Sequence, residues 1–133
     1  MSIEAKTGLV VVASHYESGG QRAEELMEAA VQSMKDRMVV PVVGSKTVWD
    51  AADAIDVCKE FKEQRVDSLT VILSTWVTDS LLYVLVHEMQ IPVVFWAVPY
   101  TETFSIGCVQ HFGSALTTHG IPYDYVYGLT NDK

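Results

Sequence analysis

Hydrophobic positions recur along this chain with two different periods, and each change of period marks an element. GLVVVAS (8–14) is an apolar run bounded by Gly and Ser, which predicts a short buried strand. After the loop HYESGG, Ala23, Leu26, Met27, Ala30, Val31 and Met34 return at helical spacing. Acidic residues crowd the first turns of this helix and Lys35 and Arg37 close it, as the helix dipole favours. MVVPVVG (38–44) predicts a second strand, and Pro41 places it at a sheet edge.

TVWD (47–50) reads as a capping box, with Thr47 as cap and Asp50 three residues on. Val48, Ala51, Ala52, Ile55 and Cys58 then form the stripe of a second helix ending near Arg65. LTVILS (69–74) is the third strand, and Thr78 or Asp79 caps a third helix running to about Gln90. IPVVFWAV (91–98) is the fourth strand. Ile106, Val109, Phe112, Gly113 and Leu116 mark a fourth helix stopped by Gly120, and PYDYVYG (122–128) is a fifth strand.

Strand and helix alternate with short connections, so a parallel sheet covered by helices on both faces is expected. The fold class is α/β: a flavodoxin-like three-layer sandwich, its five-stranded parallel sheet in the order 2-1-3-4-5, forming one domain over residues 1–133. Ligands of such sheets bind beyond the carboxyl ends of the strands, near the switch point. The loops concerned are 14–20, 74–79 and 99–105.

Composition narrows the function classes. The 133 residues are 49% hydrophobic and carry a formal net charge of −8. A folded chain is expected, without general attraction for nucleic acid or anionic membrane. Up to Arg65 there are 8 basic and 11 acidic residues; from Val66 on there are 6 acidic residues and one Lys. Cys58 and Cys108 fit no metal or redox spacing, so two reduced thiols in a cytoplasmic protein are expected. No basic segment followed by an apolar run opens the chain, so no secretory leader is expected.

Few motifs carry chemistry. SHYESGGQ invites a phosphate-binding reading, but Glu17 in its middle would repel a phosphate, and a glycine-rich turn into a helix is the better reading. His15, His87, His111 and His119 offer no metal-ligand spacing with a carboxylate; His111 and His119 fall about 12 Å apart along a helix. Ser14, Ser74 and Ser105 stand at predicted strand ends without a nucleophile elbow, and Cys108, one turn from His111, is read as a buried structural thiol. Trp76 follows the third strand between Ser74, Thr75 and Thr78, where a flat apolar face with nearby hydroxyls suits a sugar. Packing under a neighbouring loop accounts for it equally well.

Residues 71–128 also carry a family likeness. The Trp after the third strand, the Pro-led strand ending in WAVP, the helix spanning Gly107 to Gly113 and the final GIPYDYVYG together resemble the N-terminal region of the L-fucose isomerase and L-arabinose isomerase group. The resemblance implies a metal-dependent aldose–ketose isomerase whose N-terminal domain is flavodoxin-like and lends residues to a neighbouring subunit's active site. It implies Trp76 as a sugar contact, and the first-strand loop, here His15, Tyr16 and Glu17, as another; Tyr100 comes from the adjoining fourth-strand loop. The family carries an Arg in the first-strand loop, where this chain has His15 and Glu17, with Arg22 further on.

No catalytic residue and no metal ligand is expected in this chain. A divalent metal such as manganese would belong to later domains, and the chain is read as the first domain of a longer isomerase or a free-standing relative. A homo-oligomer is expected, using mainly the third and fourth helices and the loops at the carboxyl edge, with a small sugar at a subunit boundary. Two other readings stand beside this one: a flavodoxin-like module for a small ligand or nucleotide, and a non-catalytic oligomerisation domain.

Overall fold

The computed structural model describes residues 6–17, 19–37, 39–100, 103, 105–118, 120–121 and 123–128. The sequence expectations placed on Met38, Phe104, His119 and Pro122, and on parts of the loops 14–20 and 99–105, lie outside these residues. Five strands, β1 (Lys6–Val12), β2 (Val40–Val43), β3 (Ser68–Leu73), β4 (Val93–Ala97) and β5 (Tyr123–Tyr127), alternate with four α-helices. The helices are α1 (Ala23–Asp36), α2 (Ala51–Glu63), α3 (Asp79–Met89) and α4 (Ser105–Thr118). A 3-10 turn, Gly20–Arg22, leads into α1. All pairings are parallel and the strand order is 2-1-3-4-5, the flavodoxin-like arrangement. Among the described residues no helix is long and apolar enough to cross a membrane.

Alternation along the strands divides the core into two layers. Val10 and Val12 of β1, Leu69, Val71 and Leu73 of β3, and Val93, Phe95 and Ala97 of β4 face α2, α3 and α4. Leu9, Val11, Ile72 and Val98 face α1 alone. The larger layer centres on Phe95, whose ring meets Phe112 of α4 edge-on at 5.9 Å. Tyr123 packs directly over Gly113, where any β-carbon would overlap the phenol.

The second helix begins three residues later than the pattern suggested. Val48 stays extended: its N–H donates to the Val11 carbonyl at 2.9 Å, and its carbonyl accepts from Ala13 N–H at 3.0 Å. The cap is therefore Asp50, whose carboxylate accepts from Asp53 N–H at 2.9 Å, while the Asp53 carboxylate accepts from Trp49 N–H. Thr47 caps nothing. The buried stripe shifts with the start, to Ala54, Val57, Cys58 and Phe61, and leaves Ile55 exposed. The third helix starts after Thr78 and ends at Gln90, which takes a left-handed φ of 51°.

The two thiols sit inside the larger layer. Burial pushes each up to about 11, from an ordinary value of 9.0. Both should resist a chromogenic thiol reagent at neutral pH in the native protein and react at once in denaturant. The folded protein holds these protons more tightly than the unfolded chain. Their contribution to stability is therefore complete below about pH 9 and lost as pH rises towards 11. Denaturant midpoints measured across that window should fall; replacing both cysteines with alanine should flatten the decline.

Candidate functional site

At the carboxyl edge of the sheet three loops are bonded into one rim. Ser14 N–H donates to Thr75 Oγ1 at 2.8 Å, and Ser74 Oγ donates to the Gly19 carbonyl at 2.6 Å. Trp76 N–H donates to the Thr103 carbonyl at 2.8 Å. Thr103 Oγ1 donates to the Tyr100 carbonyl at 2.6 Å and accepts from Ser105 N–H at 3.2 Å. Ser105 Oγ in turn donates to the Leu73 carbonyl at 2.7 Å and accepts from Val98 N–H at 3.1 Å. Ser74, Thr75, Thr103 and Ser105 are all buried. The backbone groups here are withdrawn from water, and a hydroxyl that both donates and accepts satisfies them in little more space than a methyl group.

Gly19 is required by this assembly. Its φ is +113°, and a β-carbon there would lie 2.6 Å from Thr103 Cγ2 and 2.8 Å from the Ser74 carbonyl oxygen.

The residues expected to contact a ligand divide between the two sides of the rim. Trp76 stands at the carboxyl end of β3, half-buried, its side chain packed against the layer of α2, α3 and α4. His15 is exposed and stacks on Trp49, ring centroids 4.0 Å apart and nearly parallel. Tyr16 is 96% exposed. Glu17 is exposed, held only through its backbone N–H to the Ser14 carbonyl. Tyr100 lies on the α1 side, where it packs with the smaller layer.

Arg22 was not among the expected contacts, yet its guanidinium lies 3.9 Å over the Tyr100 ring. Its place two residues after Gly-Gly, at the entry to a helix, was the available signal. Trp49, which a cap at Thr47 would put in the first turn of α2, precedes the cap and faces the first-strand loop instead.

A cleft of about 340 Å³ opens between the β1 loop and the first turns of α2 and α3. Ser14, Tyr16, Trp49, Asp50, Thr78 and Ser80 contribute its polar and aromatic lining, over a floor that includes Ala13, Val77 and Leu81. Trp76 does not line it.

The arrangement suits binding better than covalent chemistry. Ser74 and Ser105 both donate to backbone carbonyls, so no base holds either hydroxyl as a nucleophile. Cys108 Sγ points to the Val77 carbonyl at 3.5 Å, and its neighbour His111 turns to Asp79 instead, Nε2 to Oδ2 at 3.0 Å. Among the described residues no group of three or more His, Cys, Asp or Glu side chains is placed to hold a metal ion.

No protein-family model matches the chain, and no curated protein matches it. Among solved structures, an ABC transporter solute binding protein from Clostridium phytofermentas with bound L-rhamnose is similar, at 12% identity and a TM-score of 0.48. The match covers 97% of this chain and 52% of that protein, so the chain spans about half its length.

Two substitutions test the rim. Gly19→Ala should destabilise the fold by about 1–3 kcal/mol through its backbone conformation alone, with the overlap at Thr103 adding to that. Ser74→Ala leaves the Gly19 carbonyl without its donor and should cost about 1–3 kcal/mol. Urea denaturation of both variants measures this; losses within error of zero would show that the loops do not depend on the bonded rim.

Proposed function

We propose that this chain is the N-terminal substrate-rim and oligomerisation domain of a metal-dependent aldose–ketose isomerase of the fucose/arabinose type, or a one-domain homologue of such a domain. The observation that carries the reading is the bonded rim. It fixes Trp76 beside Thr103 and supports a cation, Arg22, on Tyr100 at the same edge of the sheet. The resemblance expects an aromatic face and an Arg together at this edge. Arg22 supplies the second through space, although it lies later in the chain than the family's position.

In this role the domain binds and orients. A half-buried indole offers an apolar face to a sugar ring, with a cation at the same edge of the sheet. In this reading the divalent metal that such enzymes use, and the proton transfer, belong to later domains, as the resemblance implies.

The oligomerisation half of the reading draws on β5. Tyr125, Val126 and Tyr127 are respectively 48%, 45% and 54% exposed on the open edge strand. Val126 shares the register of Trp96 on the face that α1 covers only in part. An exposed apolar edge of this kind is a template for pairing with another chain. The helices α3 and α4, by contrast, bury most of their apolar residues within the domain.

Two measurements test the proposal. The protein expressed from its native gene, supplied with manganese, should interconvert an aldose and its ketose, and Trp76→Ala should raise KM about tenfold with little change in melting temperature. A native gene product that converts no member of an aldose panel overturns the isomerase reading. Sedimentation equilibrium should show an oligomer, and Val126→Lys should shift it to smaller species; a monomer at high concentration overturns the oligomerisation reading.

A further inference from the structure

The cleft between the first turns of α2 and α3 is separate from the Trp76–Arg22 rim, and its chemistry is different. Its volume of about 340 Å³ falls within the range of small-molecule pockets. Its floor is aliphatic: Ala13, Val77 and Leu81 are buried core residues that reach its base. One wall is Trp49, held in place by the His15 ring stacked on it. Besides the exposed Tyr16 phenol, the remaining polar groups are three hydroxyls and one carboxylate. Ser14 Oγ accepts from Tyr16 N–H at 3.2 Å, Thr78 Oγ1 and Ser80 Oγ share a hydrogen bond of 3.1 Å, and Asp50 accepts from Asp53 N–H at 2.9 Å. Each hydroxyl keeps hydrogen-bonding capacity beyond the one bond it makes here.

The electrostatics oppose a net charge of either sign. Among the described residues no Lys or Arg lines the cleft, and the Asp50 carboxylate, in a chain of net charge −8, works against an anion. A cation would face the positive ends of two helix dipoles, α2 of 13 residues and α3 of 11. It would also have to share Asp50, which is already engaged as the cap of α2. An uncharged molecule with hydroxyls at one side and an apolar face at the other meets neither penalty.

We propose that this cleft binds a small, uncharged, polyhydroxylated molecule, with Ser14, Thr78 and Ser80 as its hydrogen-bonding partners and Trp49 with the aliphatic floor against its apolar face. The site is independent of the rim reading: it uses neither Trp76 nor Arg22 and requires no isomerase activity.

The test is a titration of the full 133-residue chain, followed by amide and indole N–H resonances in two-dimensional NMR. L-fucose and xylitol serve as neutral probes, D-gluconate and D-glucosamine as charged ones. Both neutral probes should shift Ser14, Trp49, Thr78 and Ser80 saturably, with Kd on the order of 1–10 mM, and the charged probes should bind about tenfold or more weakly. Thr78→Val and Ser80→Ala should each weaken binding about five- to tenfold, and Ala51→Trp, at the mouth, should abolish it. The two hydroxyl substitutions lie at exposed positions, so they report on binding even where Ala51→Trp disturbs the fold. Trp76→Ala should leave the shifts in place. Absence of saturable shifts with either neutral probe overturns the proposal, as does equal binding of a charged probe. Shifts confined to Trp76, Arg22 and Tyr100 also overturn it, and leave the rim reading standing.

Discussion

The constraint on which the rest of this structure depends is the need to satisfy backbone polar groups where three parallel strands end inside the protein. In most sheets of this type the strand ends open into loops exposed to water. Here the ends of β3 and β4 remain buried, and four hydroxyl side chains take the place of solvent. Ser74 and Ser105 reach carbonyls of neighbouring segments, Thr75 receives the β1 loop, and Thr103 closes its own turn. Each bond contributes on the order of 1 kcal/mol, but leaving its buried partner unmade costs more, and this asymmetry keeps the loops together. The left-handed Gly19 and the approach of Arg22 to Tyr100 follow from loops held at fixed separations.

The uneven charge distribution has its main cause in the layers. Three helices cover one face of the sheet and one helix covers part of the other. The central strands β3 and β4 and the helices α3 and α4 belong to the second half of the chain, and their apolar residues are mostly spent on the larger core layer. Leu81, Leu82, Leu85, Val86 and Phe112 are all buried without any partner chain. A long stretch without Lys or Arg therefore reflects intramolecular burial first. Among the described residues of this half, the exposed large apolar side chains are Tyr83 on α3 and Tyr125, Val126 and Tyr127 on β5, so the apolar excess is concentrated on β5.

The fold was legible because its signals are local. Short β-branched runs bounded by Gly, Ser or Pro, separated by helical spacing, fix strand and helix identity, and alternation with short connections leaves few topologies. The start of α2 was misread because Val48 belongs to a bridge with Val12, a partner 36 residues away, and no local pattern records it. The rim was legible only as a position. LSTW and TETFS were visible as segments at strand ends, but Ser74 bonds a carbonyl 55 residues distant and Ser105 one 32 residues distant. The stack of His15 on Trp49 is likewise long-range, and it turns two residues assigned different roles into one wall of the cleft.

The same bonds bear on what the rim can do for a ligand. Ordering a loop on binding costs conformational entropy, and weak ligands such as small neutral sugars leave little free energy to meet that cost. A rim whose loops are already tied through backbone carbonyls and N–H groups presents its side chains without further ordering of the main chain. Ser14 illustrates the coupling: its N–H is held by Thr75 and its carbonyl by Glu17, while its hydroxyl lines the cleft and steadies Tyr16. Gly19, five residues on in the same loop, is held by Ser74 on the side where Arg22 lies. One short loop thus forms part of both the cleft and the Trp76–Arg22 rim. A change that loosens Ser74 or Thr75 acts on both, whereas a change at Thr78 or Ser80, which lie outside that loop, acts on the cleft alone.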